Sequence, residues 1–204
     1  MVSIDYEKIY STKHYGDYKI IKYLGYINND SRAWVRIKFL HTGFEKDIRF
    51  DCIGHDILDP YYPRIHGVAC LGENIGSRNE YKHDYDRWIN TVSRCYNSND
   101  KDYPNYGGSG VRMSDEWLIF SNYQRDIQTI PGYRFKQQDP FNWALDKDYL
   151  QQNVDKNNKI YSKETCVWVP KYINSKLAVN TFKDELPYVD KNGNRKLMQM
   201  YHLV

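Results

Sequence analysis

Residues 144–174, ALDKDYLQQNVDKNNKIYSKETCVWVPKYIN, restrict the fold more than any other stretch of the chain. Two carboxylates, Asp146 and Asp148, flank Lys147 near its start, and a polar, Asn-rich turn follows from Gln151 to Asn158. An apolar run then takes over, Ile160-Tyr161 and Cys166 to Val169, and Pro170 stops it. Two short β-prone runs around an Asn/Asp/Lys turn read as a hairpin. Beyond Pro170, Ile173, Leu177 and Ala178 recur at helical spacing, which predicts a closing helix. Hairpin then helix can set a carboxylate beside an Asn on the helix. That is the layout of a small metal-dependent nuclease site, or of its inactive relative.

The rest of the chain divides around this stretch. Residues 1–17 read as an N-terminal arm, and residues 18–77 as a small antiparallel β-domain, SH3-like or similar. In the segment AWVRIKFL, alternation puts Trp34 or its neighbours in a core and Arg36 and Lys38 on the opposite face. That face could follow a phosphate backbone or simply meet solvent. Residues 78–180 form a helix-rich α+β unit, and residues 181–204 a β extension with a strong turn signal from Asp190 to Asn194. A helix is predicted over 80–96, with Tyr81, Tyr85, Trp88 or Ile89, Val92 and Cys95 as its buried stripe and Lys82, Arg87 and Arg94 off it. The loop YPNYGGSG brings Tyr103 and Tyr106 beside glycines that serve turn sterics or a phosphate cradle. Ser114 opens another predicted helix, with Trp117, Leu118, Phe120 or Ser121, Tyr123 and Ile127 as its apolar face, ending before Pro131. GYRFKQQDPFNW then reads as a basic, aromatic loop.

Composition narrows the partners. Aromatic residues make up 16% of the chain, with 20 Tyr, which suits either base stacking and interfaces or a polar core. The net charge is only +3, so nucleic-acid binding would need a local basic patch. The cysteines, at positions 52, 70, 95 and 166, form no CxxC pair; zinc is not expected, and reduced thiols in a cytosol are. His55 and His66, with Asp56 and Asp59 between them, lack a third ligand at a recognisable spacing. No run approaches the roughly 18–20 apolar residues of a membrane span, so no membrane partner is expected.

Several motifs occur in order between Tyr81 and Asn174. They are Trp88 with Arg94-Cys95-Tyr96, Tyr106-Gly107-Gly108-Ser109-Gly110-Val111, and Glu116-Trp117-Leu118-Ile119-Phe120. Leu145 to Asp148, Tyr161 to Cys166, Val169-Pro170 and Ile173-Asn174 complete the set. This pattern resembles a family of bacteriophage proteins described as HNH-like relatives of homing endonucleases. The segments Asp59-Pro60-Tyr61 and Gly67 to Gly72 resemble the N-terminal half of the same family. The tail resembles the opening of an AP2-like DNA-binding module, truncated, and could instead add to the N-terminal sheet.

The resemblance implies an HNH-like unit in which Asp146 and Asn174 ligate one Mg²⁺. Lys147 falls where the general-base His should stand, and Thr165 replaces a central Asn. Lysine, with a reference pKa of about 10.4, is a poor base near neutral pH. The expectation is therefore a phage-type protein that binds double-stranded DNA in the cytoplasm of a bacterial host, with a degenerate nuclease centre. Lys82, Arg87, Arg94, Tyr106, Arg112 and Lys147 are the expected DNA contacts. One alternative is an active Mg²⁺-dependent nicking or homing endonuclease with Asp146, Lys147 and Asp148 as catalytic residues. Another is an inhibitor of a host defence protein, acting through a Tyr-rich surface.

Overall fold

A computed structural model describes residues 4–27, 30–177, 185–189 and 195–199. The protein is mixed α+β and divides into two compact units, Met1–Glu73 and Asn74–Val204.

The first unit is an antiparallel sheet of four strands in sequential order: β1 (Ile9–Ser11), β2 (Asp17–Tyr26), β3 (Ala33–Phe39) and β4 (Glu45–Arg49). The predicted alternation of β3 is seen in full, with Ala33, Val35, Ile37 and Phe39 buried and Trp34, Arg36 and Lys38 on the other face. Tyr18, Ile20, Ile48 and Ile57 complete this core. Residues 9–11, expected within an arm, form a strand instead. Tyr10 pairs with Tyr18 across the ladder, and their rings stack with centroids 5.5 Å apart.

The second unit begins with α1 (Arg78–Tyr96), where Ser77 donates its backbone N–H to the Glu80 carboxylate as half of a capping box. Its buried face is Trp88, Thr91, Val92 and Cys95. Three buried indoles each find an acceptor. Trp88 donates to the Trp117 carbonyl at 2.7 Å, Trp117 to Asp126 at 3.2 Å, and Trp168 to the Ile127 carbonyl at 2.9 Å. The helix predicted from Ser114 breaks at Ile119, whose backbone is extended. A 3-10 turn (Asp115–Leu118) precedes the break, and α2 (Phe120–Asp126) follows it. Trp117, Phe120 and Tyr123 are all buried across the break, so the apolar face predicted for one helix is kept by two shorter elements. The expected loop after Pro131 contains α3 (Tyr133–Gln138).

The 144–174 stretch differs from a simple hairpin. β6 (Trp143–Asp146) pairs antiparallel with β8 (Val167–Pro170), with Asp146 opposite Val167. The intervening β7 (Ile160–Tyr161) leaves that ladder and pairs in parallel with β5 (Arg112–Met113). The predicted tight turn is therefore part of a long connection, Lys147 to Cys166. The closing helix, α4 (Lys171–Leu177), lies against both β6 and β8. In the tail, β9 (Glu185–Val189) and β10 (Arg195–Gln199) pair with each other. Ala178 and the turn signal from Asp190 to Asn194 lie outside the described residues. Among the described residues no helix is long and apolar enough to cross a membrane.

Candidate functional site

The end of β6 delivers Asp146 into the interior, where it is only 2% exposed. The chain must reverse there, and the carboxylate serves the turn: it accepts the backbone N–H of Asp148 at 2.9 Å and of Tyr149 at 2.7 Å. Burial pushes the Asp146 carboxyl up to about 6, against the pull of those two donors.

Lys147 is buried as well. Its ammonium lies 2.8 Å from Asp148 and 5.3 and 5.5 Å from the ring centres of Tyr106 and Tyr161. Asp148 also takes Lys159 at 2.7 Å. Burial alone would raise the Asp148 carboxyl, but the two ammonium groups outweigh it and hold it below its ordinary range. From the helix side, the Arg94 guanidinium stacks on the same two rings, at 4.5 Å from Tyr106 and 5.2 Å from Tyr161. Arg94 donates to Thr91 at 3.2 Å, while its Nε is buried without a partner.

Two polar side chains fix the long connection around this cluster. Gln151 donates to the carbonyls of Lys147 and Ile160 and accepts the Ile160 N–H at 3.0 Å. Thr165 donates to the Ile160 carbonyl at 2.6 Å and accepts from Ser162 N–H at 3.0 Å. The glycines of the 107–110 loop serve close packing. A Cβ at Gly107 would strike the Cys95 carbonyl, and one at Gly110 the Asn157 carbonyl.

The structure thus gathers Asp146, Lys147, Asp148, Arg94 and Tyr106, and places the other expected residues elsewhere. Asn174 lies partly buried on α4, and no hydrogen bond among the described residues joins it to Asp146. Arg87 pairs with Asp84 at 3.3 Å and stacks on Trp168 at 4.7 Å. Lys82 is exposed and pairs with Asp86 at 2.8 Å. Arg112 is exposed at the rim of a cleft of ≈ 430 Å³ that it shares with Asp115, Glu116 and Glu164. Three carboxylates beside one guanidinium make that cleft a poor host for phosphate.

The donor set does not fit a magnesium ion. Mg²⁺ keeps near-octahedral geometry and usually several waters. Asp146 has one oxygen already taken by two N–H groups and almost no solvent around it. Among the described residues, no group of three or more His, Cys, Asp or Glu could hold a metal. The two thiols near this cluster are poor nucleophiles, since burial pushes Cys95 up to about 11 and Cys166 up to about 12.

Sequence reasoning missed Tyr161, Lys159 and Gln151 as members of the cluster. Their one local signal was position: Gln151 opens the polar segment that follows Asp148, and Lys159 and Tyr161 follow its end. The aromatic surplus goes mostly into packing: among the described tyrosines only Tyr6, Tyr23 and Tyr26 are exposed. No known protein family, curated protein or solved structure matches the chain.

Proposed function

We propose that this chain is a DNA-binding protein whose second unit keeps an HNH-like scaffold without a working nuclease centre. The order of β6, β8 and α4, a strand pair closed by a helix, supports the HNH-like part of that reading. The first unit supports a small antiparallel β-domain, of which the SH3-like kind is one form. One observation carries the loss of nuclease chemistry. The residue at the general-base position, Lys147, is 8% exposed at its side chain and held by Asp148 beneath two tyrosine rings. A general base must take a proton from a water within hydrogen-bond reach. A buried ammonium has neither the lone pair nor the water. On this reading the protein acts on DNA in the cytoplasm of a bacterial host by occupancy, without strand cleavage.

Incubation with supercoiled plasmid, in Mg²⁺ or in EDTA, tests the proposal. The expected result is a mobility shift under both conditions that weakens with salt, and no nicking. Mg²⁺-dependent nicking that disappears in a folded Asp146→Ala variant would overturn it.

A further inference from the structure

The expected DNA contacts of the second unit are mostly engaged internally, which leaves open where a phosphate backbone would be met. The first unit contains an electrostatic anomaly that bears on this. On the solvent face of its sheet, β3 and β4 are matched in sign. Arg36 stands opposite Asp47, bonded at 2.6 Å, and Lys38 opposite Glu45, at 3.3 Å. Such cross-strand pairs are what a face turned only to water tends to carry.

The ladder between β2 and β3 does the opposite. Lys19 stands directly across from Lys38, and Lys22 directly across from Arg36. Like charges in opposed positions destabilise a sheet, and here they occur in two successive pairs on the same face. Neither Lys19 nor Lys22 has a carboxylate within 4.0 Å among the described residues. Lys22 feels Asp47 only at longer range, and that acid is already bonded to Arg36. Protection of a sheet edge by lysine accounts for Lys22 at most, because Ile9 of β1 covers the other side of Lys19. Arg49, in the next row opposite Trp34, is paired with Asp51 at 3.2 Å, so the uncompensated cations of this face are Lys19 and Lys22. The side chains of Arg36 and Lys38 are 42% and 45% exposed, so the face is open to a partner.

We infer that the outer face of β2 and β3 is the surface that meets the phosphate backbone of duplex DNA, with Lys19 and Lys22 as its uncompensated cations. It rests on the proposed DNA binding and gives that binding a location outside the HNH-like unit. A bound phosphate supplies the negative charge that Lys19 and Lys22 lack. Binding and sheet stability therefore make opposite demands on these two lysines.

That opposition sets the test. Full-length wild type and a Lys19→Glu/Lys22→Glu variant are titrated with a labelled duplex at several salt concentrations, and their Tm values are compared. The variant is expected to bind at least about tenfold more weakly, with the slope of log K against log salt reduced by roughly 1.8 for two lost phosphate contacts. Its Tm should be equal to or above that of wild type, since each substitution puts an acid opposite a base. A Lys19→Gln/Lys22→Gln variant should show the same loss of slope even if the reversed charges disturb folding. Lys101→Glu, at an exposed position in the loop after α1, should leave affinity within about twofold. Unchanged affinity and slope in both double variants would overturn the inference while leaving DNA binding itself standing. Absence of any wild-type shift would overturn both. Binding confined to single strands would also overturn it.

Discussion

The two units handle charge in opposite ways. On the first unit's sheet, Arg36, Lys38, Asp47 and Glu45 form pairs that are a third or more exposed at the side chain. In the second unit, Lys147 and Asp148 form a pair buried beneath Tyr106 and Tyr161. Exposed pairs contribute little to stability and remain available to a partner. Buried pairs are expensive to break, because removal of one member leaves the other desolvated and uncompensated. Formal charge alone would rank Lys147 with Lys22 as a DNA contact; burial separates them. A basic residue conspicuous in the sequence is thus as apt to hold the fold together as to meet a ligand.

Glycine sharpens the contrast most. Gly25 in β2 and Gly132 before α3 both have positive φ, +74° and +85°. Nothing lies within 4 Å of the place a Cβ would take at Gly25, whereas at Gly132 the Trp168 carbonyl blocks it. Gly25→Ala should cost only the left-handed backbone penalty, about 1 kcal/mol. Gly132→Ala should cost about 4 kcal/mol or more, through strain plus displacement of the β8 backbone. Urea unfolding followed by tryptophan fluorescence reads the second case well, since Trp88, Trp117, Trp143 and Trp168 all lie in the second unit. Equal losses for the two variants would erase the distinction drawn between the units.

Lys147→Met comes next. It keeps the aliphatic stem but removes the ammonium, and Asp148 retains only Lys159. A loss of about 3 kcal/mol is expected. Lys22→Gln, its counterpart on the sheet, should cost nothing measurable, because it relieves a like-charge pair. A neutral Lys147→Met would mean that the lysine is not structural, and would reopen a role for it on phosphate or substrate.

How much of this was legible in the sequence follows the range of the interactions. The alternation of β3 needs only neighbours, and Ala33 to Phe39 is buried and exposed as the pattern dictates. The burial of Lys147 depends on Tyr106 and Tyr161, and the diversion of Ile160-Tyr161 depends on Arg112 and Met113. No periodicity encodes partners so far away in sequence. Arg94 lay off the predicted apolar stripe of α1, yet Tyr106 and Tyr161 stack on it. The three-residue β1 was too short to show a pattern of its own, and it takes its strand form from pairing with Asp17 to Lys19.

Asp146→Asn tests the buried cluster by pH. In the fold the carboxyl is pushed up to about 6, above its ordinary 3.8. A group so raised binds its proton more tightly folded than unfolded, so its favourable contribution is complete below the unfolded value. It is lost as pH rises through about 6, a difference of about 3 kcal/mol. Asp148 acts in the reverse sense: its contribution is present at neutral pH and lost as pH falls below the ordinary carboxylate range. Between pH 4 and 6 the Asp146 effect should therefore dominate. Asparagine can still accept the two backbone N–H groups without carrying charge. Asp146→Asn is expected to flatten the stability profile over that window and to raise stability at pH 8 by about 2 kcal/mol. Lower stability at pH 8 would show that the ionised carboxylate is needed there, which favours a cation as its partner.

A small loss of stability should come from Glu45→Gln, which removes the acid facing Lys38 on the open sheet. Both side chains are more than 40% exposed, at 45% and 42%, so the pair is screened by water and salt. The loss should be about 0.5 kcal/mol or less. The same substitution leaves Lys19 and Lys38 facing each other with no acid beside them, which makes the face more attractive to a polyanion. Duplex affinity should rise a few-fold at low salt, and the gain should shrink as ionic strength increases. Stability held nearly constant while affinity rises is the signature of a charge that serves a partner. If affinity stays flat as well, the exposed pairs of the first unit have no more to do with DNA than the buried pair of the second.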